Sequence, residues 1–483
     1  MKNNLLNITN KNPYYQITAK NILKYLPNDV KQIASNIPQL PIIATDNYFI
    51  HYSIYPILAG SNEDDVLQKV LDIYKEYSKT KEYQQTKILT TLDHDLSMIH
   101  SISLTRIILE KIKKEVERQI EQMQSSKQGS QQSASYTLNQ LQRQAVQGNQ
   151  KAQQLLRQLT STAVKKIIDR LHKQLQQMKR RGQRGLPKEL KEMFEQARKT
   201  TERAKDLKDL MQSGKRAGKT GTSFEKLLDL TNKLISVEKI DEILSLSKKI
   251  TDHMPKFYHI RKVRDRHGTE LYGYRLTKNI EHALARELAL PDELFYYKLA
   301  NQGLLAKEKI RVVEGAYYVI IDKSGSMKGA KTIWARSVAL ALFRLAKKKN
   351  RKYFLRFFDT KVYPKDKPIK EPEEIVEHIV RISSVGGTSI DTALLVAIKD
   401  IKERKLSKYT NTIILITDGE DEVNTKPELL KENNITLVAV MIRGHNETLK
   451  KLAEESGGQY LKAELNERGA LKIVKIAGGE ESE

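Results

Sequence analysis

The sequence predicts an α/β fold for its last third, a doubly wound, mostly parallel sheet, preceded by a mostly α-helical N-terminal region. Three observations carry this. Continuous apolar runs at Tyr317–Ile321, Thr412–Thr417 and 435–442 are what strands covered on both faces require. Stretches with helical spacing of apolar residues separate them. Such alternation over about 165 residues is the pattern of parallel strands joined by crossover helices.

Taken in order, Pro13, Pro27, Pro38, Pro41 and Pro56 cut the first 60 residues into short pieces. From Glu63 onward Val66, Val70, Leu71 and Tyr74 recur on one helical face, and Ile99, Ile102, Leu104, Ile107, Ile108, Ile112 and Val116 continue the pattern. Residues 1–121 thus read as a mixed, mostly helical region, and the Gln/Ser-rich 122–136 as a linker. Residues 137–254 read as a basic helical region, with helices over about 138–178, 188–212 and 224–250 and the Gly-rich 213–223 between the last two. No fixed repeat period marks a solenoid. Residues 255–315 form a lead-in segment, with short strands at Phe257–Arg261 and Glu270–Leu276 and helical texture over 279–306. Residues 316–483 form the α/β domain. Its strands are expected at 317–321, 353–358, 412–417, 435–442 and 459–463, and its helices at 330–348, 372–382, 389–402, 446–456 and 467–476.

The 483 residues carry 84 Lys+Arg against 59 Asp+Glu, a net of +25. Only +6 of that lies from Ala316 onward, which leaves +19 in the preceding two thirds. Residues 151–200 alone hold 14 basic and 4 acidic side chains. Such a stretch suits an acidic partner or nucleic-acid phosphates; its scarcity of aromatics argues against base stacking. With no cysteine in the chain, a disulfide scaffold, a thiolate metal site and a cysteine nucleophile are excluded. The opening residues lack a signal-peptide core, and no apolar run is long enough for a membrane span. A soluble, basic, cytoplasmic protein is expected.

In an open α/β sheet, ligands gather beyond the carboxyl ends of the strands. Just after the strand ending at Ile321 comes Asp322-Lys323-Ser324-Gly325-Ser326. Residues at i, i+2 and i+4 of an extended segment project to one side, so Asp322, Ser324 and Ser326 can aim one carboxylate and two hydroxyls at a single point. Gly386-Gly387-Thr388 precedes one helix, and Asp418-Gly419 follows the strand ending at Thr417. All five donors are hard oxygens, which suit Mg²⁺ or Mn²⁺ better than zinc. An ion held largely by hydroxyls keeps positive character and favours a carboxylate supplied by another protein.

Asp322-x-Ser324-x-Ser326, Thr388 and Asp418-Gly419 together resemble the metal-ion-dependent adhesion site of von Willebrand factor A domains, whose sheet is Rossmann-like, over about 168 residues. The resemblance implies that Ser324, Ser326 and Thr388 coordinate Mg²⁺ directly or through water, with Asp322 and Asp418 supporting the shell. The preceding segment, with Gly273-Tyr274-Arg275-Leu276, Ile280-Glu281-His282-Ala283-Leu284, Leu294-Phe295-Tyr296-Tyr297 and Gly303-Leu304-Leu305, is similar to the corresponding part of CoxE-like and ViaA-like proteins. That resemblance implies a non-enzymatic adaptor for a MoxR-type AAA+ ATPase, which would dock a protein ligand bearing an acidic residue. The Ro ribonucleoprotein is similar in joining such a domain to a helical region, which implies an alternative: RNA binding by the basic helices.

Other motifs carry less. Gly214–Thr220 lacks the first glycine of a phosphate-binding loop, since Ser213 stands there, and no apolar strand precedes it. His94 and His100, near Asp93 and Asp95, are six apart and do not share a helix face. Asp359, Asp391, Glu420 and Asp421 read as solvated loop acids near the candidate site. No nucleophile–base pair accompanies that site, so a hydrolase is not expected.

Overall fold

A computed structural model describes residues 4–6, 12–125, 134–183, 185–212, 223–235, 239–254, 262–264, 270–312, 314–381 and 384–478. The chain divides into two compact units, one built from residues 1–209 and 222–235, the other from 210–221 and 236–483. The first is helical: α1 Pro13–Lys24, α2 Asn28–Ala34, α3 Leu40–Tyr52, α4 Asp65–Tyr77, α5 Lys81–Thr90, α6 His94–Ser125, α7 Ala134–Val146, α8 Gln150–Arg180, α9 Lys188–Gln212 and α10 Phe224–Ile235. Local chemistry sets these boundaries. Asp64 caps α4 by accepting from the Val66 and Leu67 amides at 2.9 and 3.0 Å, an interaction type that contributes about 1 kcal/mol. Helix α3 is buried along most of its length, because α1, α5 and α6 pack around it. Among the described residues no helix is long and apolar enough to cross a membrane.

The second unit opens with α11 Ile240–Asp252. The single helix expected over 224–250 is therefore two helices that belong to different units. Lys239, at φ 69°, lies in the left-handed region and cannot continue a right-handed helix. Next come β1 Lys262–Arg264, β2 Glu270–Thr277, α12 Ala285–Leu288, α13 Asp292–Asn301 and β3 Leu304–Val312, with β3 antiparallel between β1 and β2. The helical reading of 279–306 fails at its end. Gly303, at φ +86°, takes its amide back to the Lys298 carbonyl at 2.6 Å, which closes α13 in the manner of a glycine C-cap. The chain then extends into β3. The strand expected at Phe257–Arg261 and most of the Gly-rich loop 213–223 lie outside the described residues, as does 126–133 of the Gln/Ser-rich run.

The remainder is the α/β sheet: β4 Glu314–Asp322, α14 Ala330–Lys348, β5 Tyr353–Phe358, β6 Val362–Tyr363, α15 Pro372–Arg381, α16 Ile390–Glu403, β7 Thr410–Thr417, α17 Pro427–Glu432, β8 Ile435–Met441, α18 Glu447–Glu455, β9 Gln459–Lys462 and α19 Glu467–Ala477. The strand order is β6-β5-β4-β7-β8-β9. Every pairing is parallel except β5 with β6, so the fold class is as the sequence predicts.

Successive side chains of β4 face opposite ways, and Ala316 through Asp322 are all buried. Tyr318 and Ile320 join Leu394, Ala397 and Ile398 of α16 in one core cluster, and α14 packs on the same strand. One charge is buried with its partner: Arg356 on β5 donates to both oxygens of Asp400 on α16, from Nε at 2.8 Å and Nη2 at 3.0 Å. The chain leaves β4 towards β5 on one side, while β7 lies on the other. The β4–β7 boundary is therefore a topological switch point, where open α/β sheets place their ligands.

Candidate metal centre

Asp322 is the last residue of β4 and Asp418 follows the last residue of β7, so adjacent parallel strands deliver both carboxylates to the switch point. Asp322 is 2% exposed. Its Oδ1 accepts from the Ser324 amide at 2.7 Å and its Oδ2 from the Thr417 hydroxyl at 2.6 Å. Burial raises the Asp322 carboxyl above its ordinary range and nearby Asp418 adds to the effect, while the Thr417 and Ser324 donors oppose it. The turn fixed by Asp322 brings Ser324 Oγ within 3.0 Å of Ser326 Oγ. Ser326 Oγ in turn donates to Asp418 Oδ1 at 2.8 Å.

Thr388 arrives from the loop before α16. The Gly325 amide donates to the Gly386 carbonyl at 3.1 Å, which ties that loop to the serine turn. Gly386 sits at φ +117° and a Cβ there would lie 2.9 Å from Asp359 Oδ2; a Cβ at Gly419 would lie 2.7 Å from Thr388 Cγ2. Thr388 therefore packs directly on the backbone beside Asp418, and only glycine at 419 admits it.

The donor set fits a hard divalent ion. In an octahedral Mg²⁺ shell with ligands near 2.1 Å, adjacent ligands lie about 3.0 Å apart. The Ser324–Ser326 and Ser326–Asp418 oxygen separations have that spacing. Ser324, Ser326 and Asp418 form one continuous run of oxygens. Asp322 joins it through the Ser324 backbone, and Thr388 borders it across Gly419. Among the described residues no group of three or more His, Asp or Glu side chains is placed to hold a metal. The candidate set is instead two carboxylates and three hydroxyls.

Three neighbours are not legible in the motif. Lys331, in the first turn of α14, places Nζ 2.5 Å from Asp418 Oδ2. Lys323 places Nζ 2.6 Å from Asp359 Oδ2 and 4.4 Å from the Tyr363 ring centre. Thr417 bridges the two strands, donating to Asp322 and accepting from the Gly419 amide at 3.0 Å. Thr417 had a signal in its place immediately before Asp418; Lys331, nine positions beyond Asp322, had none.

Of the four loop acids, Glu420 and Asp421 are exposed as expected, while Asp359 and Asp391 are less solvated than expected. Asp359 is buried. Burial alone would raise its carboxyl, but Lys323 and the Lys361 amide outweigh this and hold it below the usual range. Asp391 accepts from the Asn424 and Thr425 amides at 2.8 and 2.9 Å, and Glu420 from the His445 amide at 3.2 Å. Both brace the loop after β7. In the helical unit His94 Nδ1 meets the Tyr48 hydroxyl at 2.8 Å, while Asp93 and Asp95 pair with Lys208. The glycine-rich stretch 214–220 lies outside the described residues.

The family model for the von Willebrand factor type A domain matches residues 317–420. The chain is similar to the uncharacterized protein MJ0811 of Methanocaldococcus jannaschii, with 29% identity over 64% of this chain and 74% of that protein. It is also similar to MJ0077 of the same organism, with 30% identity over 43% of this chain and 53% of that protein. The chain thus spans about three quarters of one relative and half of the other. Among solved structures, an aerotolerance-related membrane protein from Bacteroides fragilis is 18% identical over 34% of this chain and 98% of that one, at a TM-score of 0.28. The family model and the β6-β5-β4-β7-β8-β9 order together identify the C-terminal α/β sheet of this chain as a von Willebrand factor type A domain.

Proposed function

We propose that the chain is a metal-dependent protein-interaction adaptor rather than an enzyme. In this reading Ser324, Ser326 and Thr388 hold Mg²⁺ or Mn²⁺ together with Asp418, while Asp322 orients the serine turn through the Ser324 amide. The observation that carries the reading is the run Ser324–Ser326–Asp418, whose hydroxyl hydrogen bonds keep three oxygens at the spacing of a hard-ion shell. Bound there, the cation would supply an electrophilic docking point for a carboxylate of another protein. Asp322 and Thr417 turn their oxygens towards each other, which leaves the hydroxyl-rich edge as the face offered outward. The exposed Ser326 and half-exposed Thr388 lie on that edge.

The lead-in segment's similarity to CoxE-like and ViaA-like proteins supports a MoxR-type AAA+ ATPase as the working partner, with an acidic-residue-bearing protein as the ligand. A pull-down of such an ATPase and of an acidic client by the full chain tests this. Retention is expected with Mg²⁺, and loss with EDTA or on Ser326→Ala. Equal recovery under all three conditions would remove the metal-bridged contact from the account.

A further inference from the structure

The helical unit carries a feature that the metal centre does not use. Two clefts, of about 390 and about 500 Å³, adjoin along α8 and share Gln174 and Glu189 as lining residues. Together they form one groove bordered by α6, α8 and the start of α9. Lys111, Lys114 and Arg118 line it from α6, Arg170 and Arg181 from α8 and its cap, and Lys188 from α9. Against these six cations stand Glu115, Glu189 and Glu192.

Two of those carboxylates are structural braces. Glu115 takes Arg118 at 3.1 Å and Lys166 of α8 at 2.6 Å. Glu189 takes Lys111 of α6 at 2.9 Å and Arg170 of α8 at 2.8 Å. Each is shared between two cations and joins helices that would otherwise repel, so the groove keeps a positive excess after its internal pairing. The exposed Lys114, Arg181 and Lys188 make no ion pair among the described residues.

We propose that this groove binds the phosphate backbone of a nucleic acid. From Ile167 to Arg181 it runs about 21 Å at 1.5 Å per residue, long enough for several consecutive phosphates of one strand. Arginine guanidinium groups match phosphate oxygens in pairs, and Gln174 and Gln177 add amide donors for phosphate or sugar oxygens. No aromatic ring lines the groove, so bases do not stack in it and recognition is independent of sequence. The recessed, helix-walled shape suits a chain better than a planar lipid surface. The run of cations set against retained carboxylates suits closely spaced phosphates better than the sparser charges of an acidic peptide.

The test uses the full chain with a labelled mixed-sequence RNA strand, its duplex and the matching DNA strand, read by fluorescence anisotropy. About four single-strand phosphate contacts give a slope near −2.8, so affinity should fall about fifty-fold between about 50 and about 200 mM salt. Combined Lys114→Ala, Arg181→Ala and Lys188→Ala substitutions should shallow that slope by about 2 and weaken binding at least about tenfold, with helical circular dichroism unchanged. Combined Lys450→Ala, Lys451→Ala and Lys472→Ala substitutions, with the same charge change outside the groove, should leave binding as it was. The RNA and DNA arms identify which backbone is preferred. The proposal is overturned if the groove variant binds like the native chain, or if the control variant loses as much. It is equally overturned if a polyglutamate peptide or anionic vesicles displace the nucleic acid at equal charge.

Discussion

Lys331 Nζ lies 2.5 Å from Asp418 Oδ2, with the Asp418 side chain 2% exposed and that of Lys331 19% exposed. The pair sets a fixed cation beside the oxygens proposed to hold a divalent ion. Both positive groups compete for one carboxylate, and the lysine neutralises part of the charge that would attract the ion. Replacing Lys331 with Met should therefore tighten Mg²⁺ binding by about tenfold or more, as removal of a like charge at this range implies. Titration calorimetry on the two proteins checks this, and weaker binding in the variant would mean that the lysine organises the site rather than restrains it.

Thr417→Val removes a hydroxyl that donates to the buried Asp322 and accepts from the Gly419 amide. An unsatisfied buried acceptor costs about 1–3 kcal/mol. Trp334 is the chain's single tryptophan and lies in α14, so its fluorescence in urea reports the sheet unit alone. An earlier midpoint of about that size, with weakened Mg²⁺ uptake, is the expected result.

The Arg356–Asp400 pair makes a larger prediction. Both side chains are almost fully buried, at 2% and 7% exposure, and the Tyr318 hydroxyl joins them. Asp400→Ala leaves an uncompensated guanidinium inside the sheet, and breaking such a pair costs about 3–5 kcal/mol. The Trp334 unfolding midpoint should drop accordingly, while the helical signal of the first unit holds.

The helical unit should be sensitive to acid. His51 and His100 are fully buried with ring centres 4.2 Å apart. Burial holds His51 well below its ordinary range, and neighbouring His100 and Lys87 push it the same way; burial lowers His100 to about 4. Each depressed histidine makes the unfolded chain bind the extra proton, so this stability is present above about pH 6.5 and is lost as pH falls towards 4. Asp46 works oppositely, since burial raises it to about 7. Two histidines against one aspartate leave about one proton favouring the unfolded state near pH 5, a slope of about 1.4 kcal/mol per pH unit. Thermal melts followed by helical circular dichroism should fall steadily from pH 6.5 to 4.5, and His51→Leu should flatten the trend.

Legibility in the sequence followed how many competing patterns a segment allows. Tyr353–Phe358 is apolar but for Arg356 and reads only as a buried strand. Ser324, Ser326 and Asp418 follow strands whose ends are easily found, so their convergence was readable. Strand β3 was not: Lys307, Glu308, Lys309 and Arg311 dilute its apolar positions, and the Gly303 stop that separates it from α13 acts through backbone φ. The break at Lys239 is conformational in the same way. Lys331 and the Lys323–Asp359 pair depend on loops meeting across the sheet edge, which spacing along the chain does not encode.

Calorimetric titration of Mg²⁺ into the full chain tests the central claim most directly. The account predicts a single saturable site that disappears in Ser326→Ala and Asp418→Ala while Trp334 fluorescence stays native. Heat confined to dilution, for Mg²⁺ and Mn²⁺ alike, or uptake undiminished in both variants, would contradict it.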